Sequence, residues 1–516
     1  MNNPLNKLGR IGLYLTVFMT GASVMVIELL GTRLIAPFYG ASLYVWCSLI
    51  SVTMIALALG YFIGGRWADY RDGKGFSLIL ALAAVLTLLI PWMTRSVLLA
   101  TDPLGLRTGA FISALVLFTP SLTLLGMVSP VAIKLATRQL QGVGASSGSL
   151  YAVSTLGSVV GTLLLGFFLF PEFGSREILA GLGIGLLILA LLVALYEQQQ
   201  LAVVKATGPV LLLIIVGFSL IPQIVGAGRA LPAQQQLIIR SEQESLYGWV
   251  RVIDKPKAKL RFLTSDASVI GAASLIDGSN LLVYQDIVNL LPALAPGMKR
   301  ALIVGQGAGH MATALHERYG IKVDTLEIDP AVAQAAVDYF GFKPSGQARV
   351  GDGRYEIRKL TGPYDLIIHD CFTGGSEPAH LLTVETLRQL RGLLSEKGLL
   401  ALNFVGFLEN GQNPALASVA KTLDEVFPRR QVFISEPGDD FNDFIFLTGN
   451  APVDLEAPSL SLGQQDWLKQ RQVSVNSEKG RILTDNLNAL EHLQLRKAEH
   501  YRQVLVEWFG TEWLLR

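Results

Sequence analysis

The residues able to do chemistry gather late in this 516-residue chain. Ala301-Leu302-Ile303-Val304 is an apolar run that breaks into Gly305-Gln306-Gly307-Ala308-Gly309-His310. A strand that enters a glycine-rich turn and then a helix lets the backbone approach a ligand closely, with N–H groups facing it. Alone, that pattern is weak. A second apolar run ends in Leu326-Glu327-Ile328-Asp329-Pro330. Glu327 thus falls about 20 residues after the glycines, where an acidic side chain can take both hydroxyls of a ribose. A third tip carries Val350-Gly351-Asp352-Gly353 and a fourth His369-Asp370-Cys371-Phe372. Glycines, Glu, Asp and Asp at four successive strand tips make a nucleoside site. Ordinary strand-end caps are the plainer alternative, weaker for Glu327 than for Asp352.

Such tips need a sheet to hold them level. Residues 301–304, 323–327, 366–370 and 399–404 read as strands, with helices over 330–340 and 383–394. That alternation predicts a doubly wound, mostly parallel, Rossmann-like α/β domain over 293–516, with ligands at the carboxyl ends of its strands. Short β-type runs at 237–240, 248–253, 260–264 and 281–284 predict a small β-domain over 231–292. No internal repeat or low-complexity segment interrupts the pattern.

The remainder, residues 1–230, is of another kind. It carries 13 of the 42 Lys and Arg and 7 of the 41 Asp and Glu, and none of the six His. Charge-poor stretches near 11–36, 43–65, 75–94, 108–133, 147–171, 178–196 and 206–228 predict a polytopic α-helical membrane domain of about seven spans. The first stretch, behind Lys7 and Arg10, reads as a span and not as a signal peptide, because it runs on into further apolar segments with no clear cleavage site. A single soluble domain is excluded, and so is a protein of membrane helices alone. With only Cys47 and Cys371, neither a disulfide framework nor a four-cysteine zinc site can form, and no spacing requires a metal. No sustained basic run favours nucleic acid.

Two membrane features carry a functional reading beside a structural one. Glu28 and Arg33 are ionisable groups in or near the first span, which are costly there and mark either function or a pair that glues helices. Gly64-Gly65-Arg66-Trp67-Ala68-Asp69, with Arg71 and Lys74, resembles the loop between the second and third helices of major-facilitator transporters; a short capped loop with inside-positive charge reads the same. Gly157 to Gly161 suits close helix packing. Lys and Arg at 7, 10, 66, 71, 74, 134, 138 and 205 outnumber those at 95, 107, 176 and 229, which puts the N-terminus in the cytoplasm. Seven spans would then leave the second half outside, in conflict with a cytosolic metabolite as substrate.

The set GQGAG, LEID, GDG and YDLIIHD resembles the catalytic domain of the polyamine aminopropyltransferases, the spermidine synthases. Tyr247-Gly248 to Asp254 and Val283-Tyr284-Gln285-Asp286 resemble that family's N-terminal β-domain. The segments Glu28 to Pro37 and Leu150 to Thr155 are similar to bacterial membrane-fused spermidine-synthase-like proteins. The resemblance implies an S-adenosylmethionine-type fold in which Gly305, Gln306, Gly307, Gly309, Glu327, Asp352 and Gly353 hold decarboxylated S-adenosylmethionine, Glu327 at the ribose and Asp352 at the adenine amino group. Asp370 would deprotonate and orient the attacking amine, since only a neutral amine is a nucleophile. Tyr284 and Gln285 match positions lining the channel, and Glu377 is the candidate for the far amine of a polyamine.

Two departures stand out. Ala308 replaces the family's Asp, which engages the aminopropyl amine and repels the carboxylate of intact S-adenosylmethionine. The family's second acidic residue after Asp370 is missing, leaving Glu377 in a loop. His310 and His380 could do acid–base work but read more simply as surface or capping histidines; Cys371 reads as packing and Asp485 as a site neighbour or a cap. The leading expectation is a membrane-bound aminopropyltransferase acting on a polyamine such as putrescine. The same pocket could serve a methyltransferase or other sulfonium-cleaving enzyme using intact S-adenosylmethionine. A polyamine transporter with a nucleoside- or polyamine-sensing domain is the third reading. The expected surroundings are a small-molecule amine, the lipid bilayer of a bacterial inner membrane with a cytoplasmic catalytic domain, and a homodimer, without nucleic acid.

Overall fold

A computed structural model describes residues 7–40, 42–71, 74–137, 142–200, 207–226, 237–372, 375–449 and 453–515. The chain divides into two compact units, Met1–Leu231 with Trp513–Arg516, and Pro232–Glu512. The expected domain boundary at 230/231, the basic residues Arg138, Lys205 and Arg229, and Thr373 and Gly374 lie outside the described residues.

The first unit is built from helices α1 (Lys7–Tyr39), α2 (Leu43–Arg71), α3 (Phe76–Thr101), α4 (Gly105–Ala136), α5 (Val143–Leu164), α6 (Ser175–Gln200) and α7 (Thr207–Gly226). Among the described residues, five helical stretches are long and apolar enough to cross a membrane: 7–39, 43–71, 76–136, 143–169 and 175–199. The stretch 76–136 holds both α3 and α4, which pack on each other across a 3₁₀ turn at Asp102–Leu104. The apolar part of α7, Thr207–Pro222, is shorter. Small residues let α1 and α5 touch: a Cβ on Gly157 would strike the Phe18 carbonyl, and one on Gly161 would reach the Ala22 Cβ at 2.9 Å. Glu28 takes a hydrogen bond from Thr53 of α2, and the Arg33 guanidinium lies 4.9 Å from the Phe170 ring centroid. Residues 64–71 are not a loop. They form the last two turns of α2, and Asp69 pairs with Lys134 of α4 at 3.0 Å.

The second unit begins with four antiparallel strands in sequence order, β1 (Ile238–Glu244), β2 (Trp249–Lys255), β3 (Leu260–Ser265) and β4 (Ser268–Ser274). The strand expected at 281–284 is absent. Asn280 makes an isolated bridge to Ala273, and Tyr284 opens helix α8 (Tyr284–Leu294). The reason is periodicity: Tyr284, Ile287, Val288, Leu291 and Leu294 recur at helical spacing and are all buried in one apolar cluster.

The large sheet contains β5 (Arg300–Val304), β6 (Lys322–Glu327), β7 (Ala348–Val350), β8 (Tyr364–His369), β9 (Leu394–Phe407), β10 (Arg430–Ile434), β11 (Phe441–Gly449) and β12 (Gln472–Val473). Its order is β12-β10-β11-β9-β8-β5-β6-β7. Neighbours from β7 to β9 pair in parallel. The β9–β11, β11–β10 and β10–β12 pairs are antiparallel. Helices α9 (His310–Tyr319), α10 (Pro330–Phe340), α11 (Gly353–Ile357), α12 (Val384–Leu393), α13 (Pro414–Val426), α14 (Leu462–Arg471) and α15 (Leu495–Phe509) belong to the same unit. Apolar clusters cover both faces of the sheet. That is why Ala301 to Val304 reads as an unbroken apolar run, every residue at most 1% exposed. The chain leaves β5 toward β6 on one side and returns to β8 on the other, so a crevice opens between the carboxyl ends of β5 and β8.

Candidate active site

Register lines the tips up. Val304 pairs with Leu326 on one side and His369 on the other, and His369 pairs with Leu402. Gly305, Glu327 and Asp370 therefore stand at one level at the strand ends, beside Asn403, which lies within the longer β9. The Gly305 N–H donates to the Leu326 carbonyl at 3.0 Å and the Asp370 N–H to the Val304 carbonyl at 2.8 Å. Gly305 sits at φ 95°, and a Cβ there would collide with the Asp370 carbonyl. Only glycine meets both demands.

Glu327 is buried, with Oε2 accepting from the Gly307 N–H at 3.2 Å and Oε1 from the Asp329 N–H at 3.1 Å. Burial pushes its carboxyl up to about 7, although those two N–H groups pull it down. Asp329 caps α10 through the Ala331 N–H and accepts the Ser245 hydroxyl at 2.6 Å, which ties the small sheet to this corner. Gln306 accepts from the Thr325 hydroxyl at 3.0 Å, while its Nε2 is buried without a partner. Gly309 precedes the first residue of α9. Asp352 caps α11 by accepting from the Tyr355 N–H at 2.9 Å, ahead of the buried Gly353, and its second oxygen lies 3.8 Å from His380 Nε2.

Asp370 is held from two sides. The Tyr284 hydroxyl donates to one carboxylate oxygen at 2.7 Å and the Asn403 amide to the other at 2.9 Å. Burial raises its carboxyl above the ordinary carboxylate range; these two donors offset part of the rise, and the charge of Glu377 adds to it. Burial and the Asp370 charge push the Tyr284 phenol well up, so it remains a donor. Gln285 donates to that phenol at 3.2 Å.

Glu377 is buried and fully engaged within the chain. Its Oε1 accepts from the Val405 N–H at 2.8 Å, and its Oε2 takes the Gln494 amide and the ammonium of Lys497. Asp443 on β11, opposite Val405 in register, lies close enough to Asp370, Lys497 and Glu377 to feel their charges. Burial lifts its carboxyl to about 6.

The other polar candidates have local partners, except His310, whose two ring nitrogens are both buried without one among the described residues. His369 is buried with Nε2 3.2 Å from the Leu381 carbonyl, and burial holds its imidazole down at about 4. His310 meets the Phe340 ring edge-on at 5.7 Å. The Cys371 thiol donates to the Val304 carbonyl at 3.2 Å, and burial pushes its pKa well up, so it is no thiolate. Asp485 clamps Arg354 at 2.5 Å and accepts the Thr383 hydroxyl, a structural pairing. Ala308 is 4% exposed in an apolar cluster with Val250, Val252 and Leu263. A Cβ on Gly271 would come within 2.5 Å of the Ala308 Cβ, so the alanine closes the joint between β4 and the glycine-rich turn. Among the described residues, no group of three or more His, Cys, Asp or Glu converges as a metal site.

Three members of this arrangement escape sequence reasoning. Asn403 had a signal, an amide at the end of the apolar run Leu399–Leu402. Asp443 lies in a strand the alternation pattern does not predict, and Lys497 comes from the far C-terminal helix α15.

No family model matches the chain. A polyamine aminopropyltransferase of Vibrio vulnificus is 36% identical over 178 residues, 33% of this chain and 60% of that protein. An N-terminal histidine N-methyltransferase of Emericella nidulans is 30% identical over 251 residues, 42% of this chain and 44% of that protein. The chain thus spans about half the length of these curated relatives. A probable spermidine synthase from Corynebacterium glutamicum aligns with a TM-score of 0.41 at 18% identity, covering 48% of this chain and 96% of that chain. By the two curated relatives, the C-terminal part of the chain is similar to a polyamine aminopropyltransferase and to a methyltransferase.

Proposed function

We propose that the second unit is an aminopropyltransferase that takes decarboxylated S-adenosylmethionine as donor and an amine of the polyamine class, putrescine being the first to test, as acceptor. The observation that carries this reading is the Asp370 carboxylate, fixed by Tyr284 and Asn403 in the same row as Gly305 and Glu327. Gly305, Gln306, Gly307 and Gly309 would line the donor's path. Glu327 would accept its ribose hydroxyls and Asp352, with Gly353 behind it, would meet the adenine amino group. The acceptor nitrogen attacks the carbon beside the sulfonium. As the new C–N bond forms, the C–S bond breaks, the thioether leaves with the electron pair, and the nitrogen's proton passes to Asp370. A carboxylate whose pKa is raised by burial is better matched to that proton than an exposed one. Its two fixed donors keep it aimed, which supplies the orientation such a displacement needs. The similarity to the Vibrio vulnificus protein supports the same reading.

A methyltransferase using intact S-adenosylmethionine is the second reading. Ala308 favours it, because no carboxylate stands there to repel the donor's own, and so does the similarity to the Emericella nidulans protein. In either case the first unit would anchor the chain in a bilayer by about seven helices, with the second unit in the cytoplasm, and the chain would work as a homodimer. That arrangement sets the N-terminus outside, against the Lys and Arg bias.

The test is mass spectrometry of the products formed by the purified chain from putrescine with each donor in turn. An aminopropyl adduct from the decarboxylated donor alone supports the first reading. A methylated or cleaved product from the intact donor sinks it in favour of the second. Asp370→Asn should lower turnover by about 10²–10⁴-fold while leaving the binding of the thioether product unchanged.

A further inference from the structure

No step above uses Lys497, yet it is seated as a bound cation would be. Its side chain is 3% exposed and pairs with Glu377, itself 1% exposed. The Phe404 and Phe372 ring centroids lie 4.8 and 5.0 Å from its Nζ. Asp443 adds a further carboxylate within reach of its charge. Aromatic faces with carboxylates are the surroundings that select an alkylammonium group. The place of this seat matters as much as its lining. Asp370 hangs from the side chain of Asn403 and Glu377 from the N–H of Val405. Two residues along a strand span about 7 Å, a reach comparable to that between the nitrogens of a short alkyl diamine.

We propose that Lys497 is a specificity-determining residue that fills the far-cation seat of the acceptor site with the chain's own ammonium, so that the acceptor is a primary monoamine and not a diamine. This rests on the aminopropyl-transfer reading and narrows its substrate class. A second ammonium arriving beside Glu377 would find both carboxylate oxygens engaged and would meet a like charge away from water, an arrangement that is strongly disfavoured. A monoamine brings only the nitrogen that reacts at Asp370, and its alkyl tail meets the aliphatic stem of Lys497 and the two rings.

The experiment offers the full chain, purified in detergent, decarboxylated S-adenosylmethionine with n-butylamine and putrescine, and reads kcat/KM for each by product mass. The wild-type chain should use n-butylamine at least as well as putrescine. Lys497→Met should move the ratio toward putrescine by about tenfold or more. Lys497→Arg, which keeps a cation, should leave the ratio near the wild-type value. A wild-type preference for putrescine of about tenfold overturns the assignment whether or not any variant folds, and it leaves the aminopropyl reading standing. A Lys497→Met ratio equal to the wild-type one also overturns it. Transfer to neither amine overturns the aminopropyl reading, and the assignment with it.

Discussion

Two carboxyl groups at the site hold protons that an unfolded chain would have released, and this sets a stability dependence. Glu327 titrates near its ordinary 4.5 when unfolded and at about 7 when buried in the fold. Between those values the folded state binds the extra proton, so stability is full at the acid end and falls as pH rises toward 7. Asp443, lifted from 3.8 to about 6, acts with the same sign over a lower window. The Glu327 contribution is on the order of 3 kcal/mol. His369, held down at about 4, acts with the opposite sign below its ordinary 6.5. The thermal midpoint of the wild-type chain should therefore fall most clearly above pH 6.5, and Glu327→Gln should remove that fall. Parallel curves for the two proteins would mean that Glu327 is solvated in the fold. The same reasoning separates Asp370 from Asp352. Both end strands, but Asp370 lies in the row with Asn403 and Tyr284, whereas Asp352 is half-exposed and its main bond is a helix cap.

The elements matter because each tip is positioned by its strand neighbours and not by its own loop. Gly305 is the clearest case. Its N–H bonds to β6 while its Cα faces the carbonyl of Asp370 after β8, so the turn is locked from both sides. Gly320 is also at positive φ, 69°, but caps α9 in open space. Gly320→Ala should cost about 1 kcal/mol, the strain of a left-handed alanine. Gly305→Ala adds a backbone collision and should cost about 3 kcal/mol or more, with loss of donor binding. Denaturant unfolding of the two variants measures the difference; equal costs would refute the lock. Helix α8 acts in the same way on the other wall. Its apolar stripe seats it against the sheet, and that seating aims Tyr284 at Asp370.

Over the whole molecule, the charge asymmetry along the sequence corresponds to two compact units. The first unit exposes Leu, Ile, Val and Phe along α2, α5 and α7, including Phe62, Leu163 and Ile215. A patch of that extent supports the proposal that lipid covers it. The chain should therefore stay with the membrane pellet through high-salt and alkaline washes and be released only by detergent. Release by salt alone would show that electrostatic attachment, and not insertion, holds it.

What the sequence determined by itself is the part of the protein governed by local pattern. Apolar stretches as long as a bilayer is thick mark the first unit, and glycines after an apolar run mark the turn after β5. Acidic residues at strand ends mark Glu327, Asp352 and Asp370. Periodicity also held the evidence for α8, since Tyr284, Ile287 and Val288 repeat as a helix does, even where a short run read as a strand. Tertiary structure alone decided which of these residues act together. Asn403 and Asp443 reach the site because β9 and β11 pair beside β8, an adjacency that no local spacing encodes. Lys497 reaches Glu377 across 120 residues of chain. The carboxylate that the sequence offers to an outside amine is thereby given an inside one. The physical reason is that a buried charge must be paired by whatever the fold brings next to it, and the fold, not the neighbouring sequence, chooses that partner.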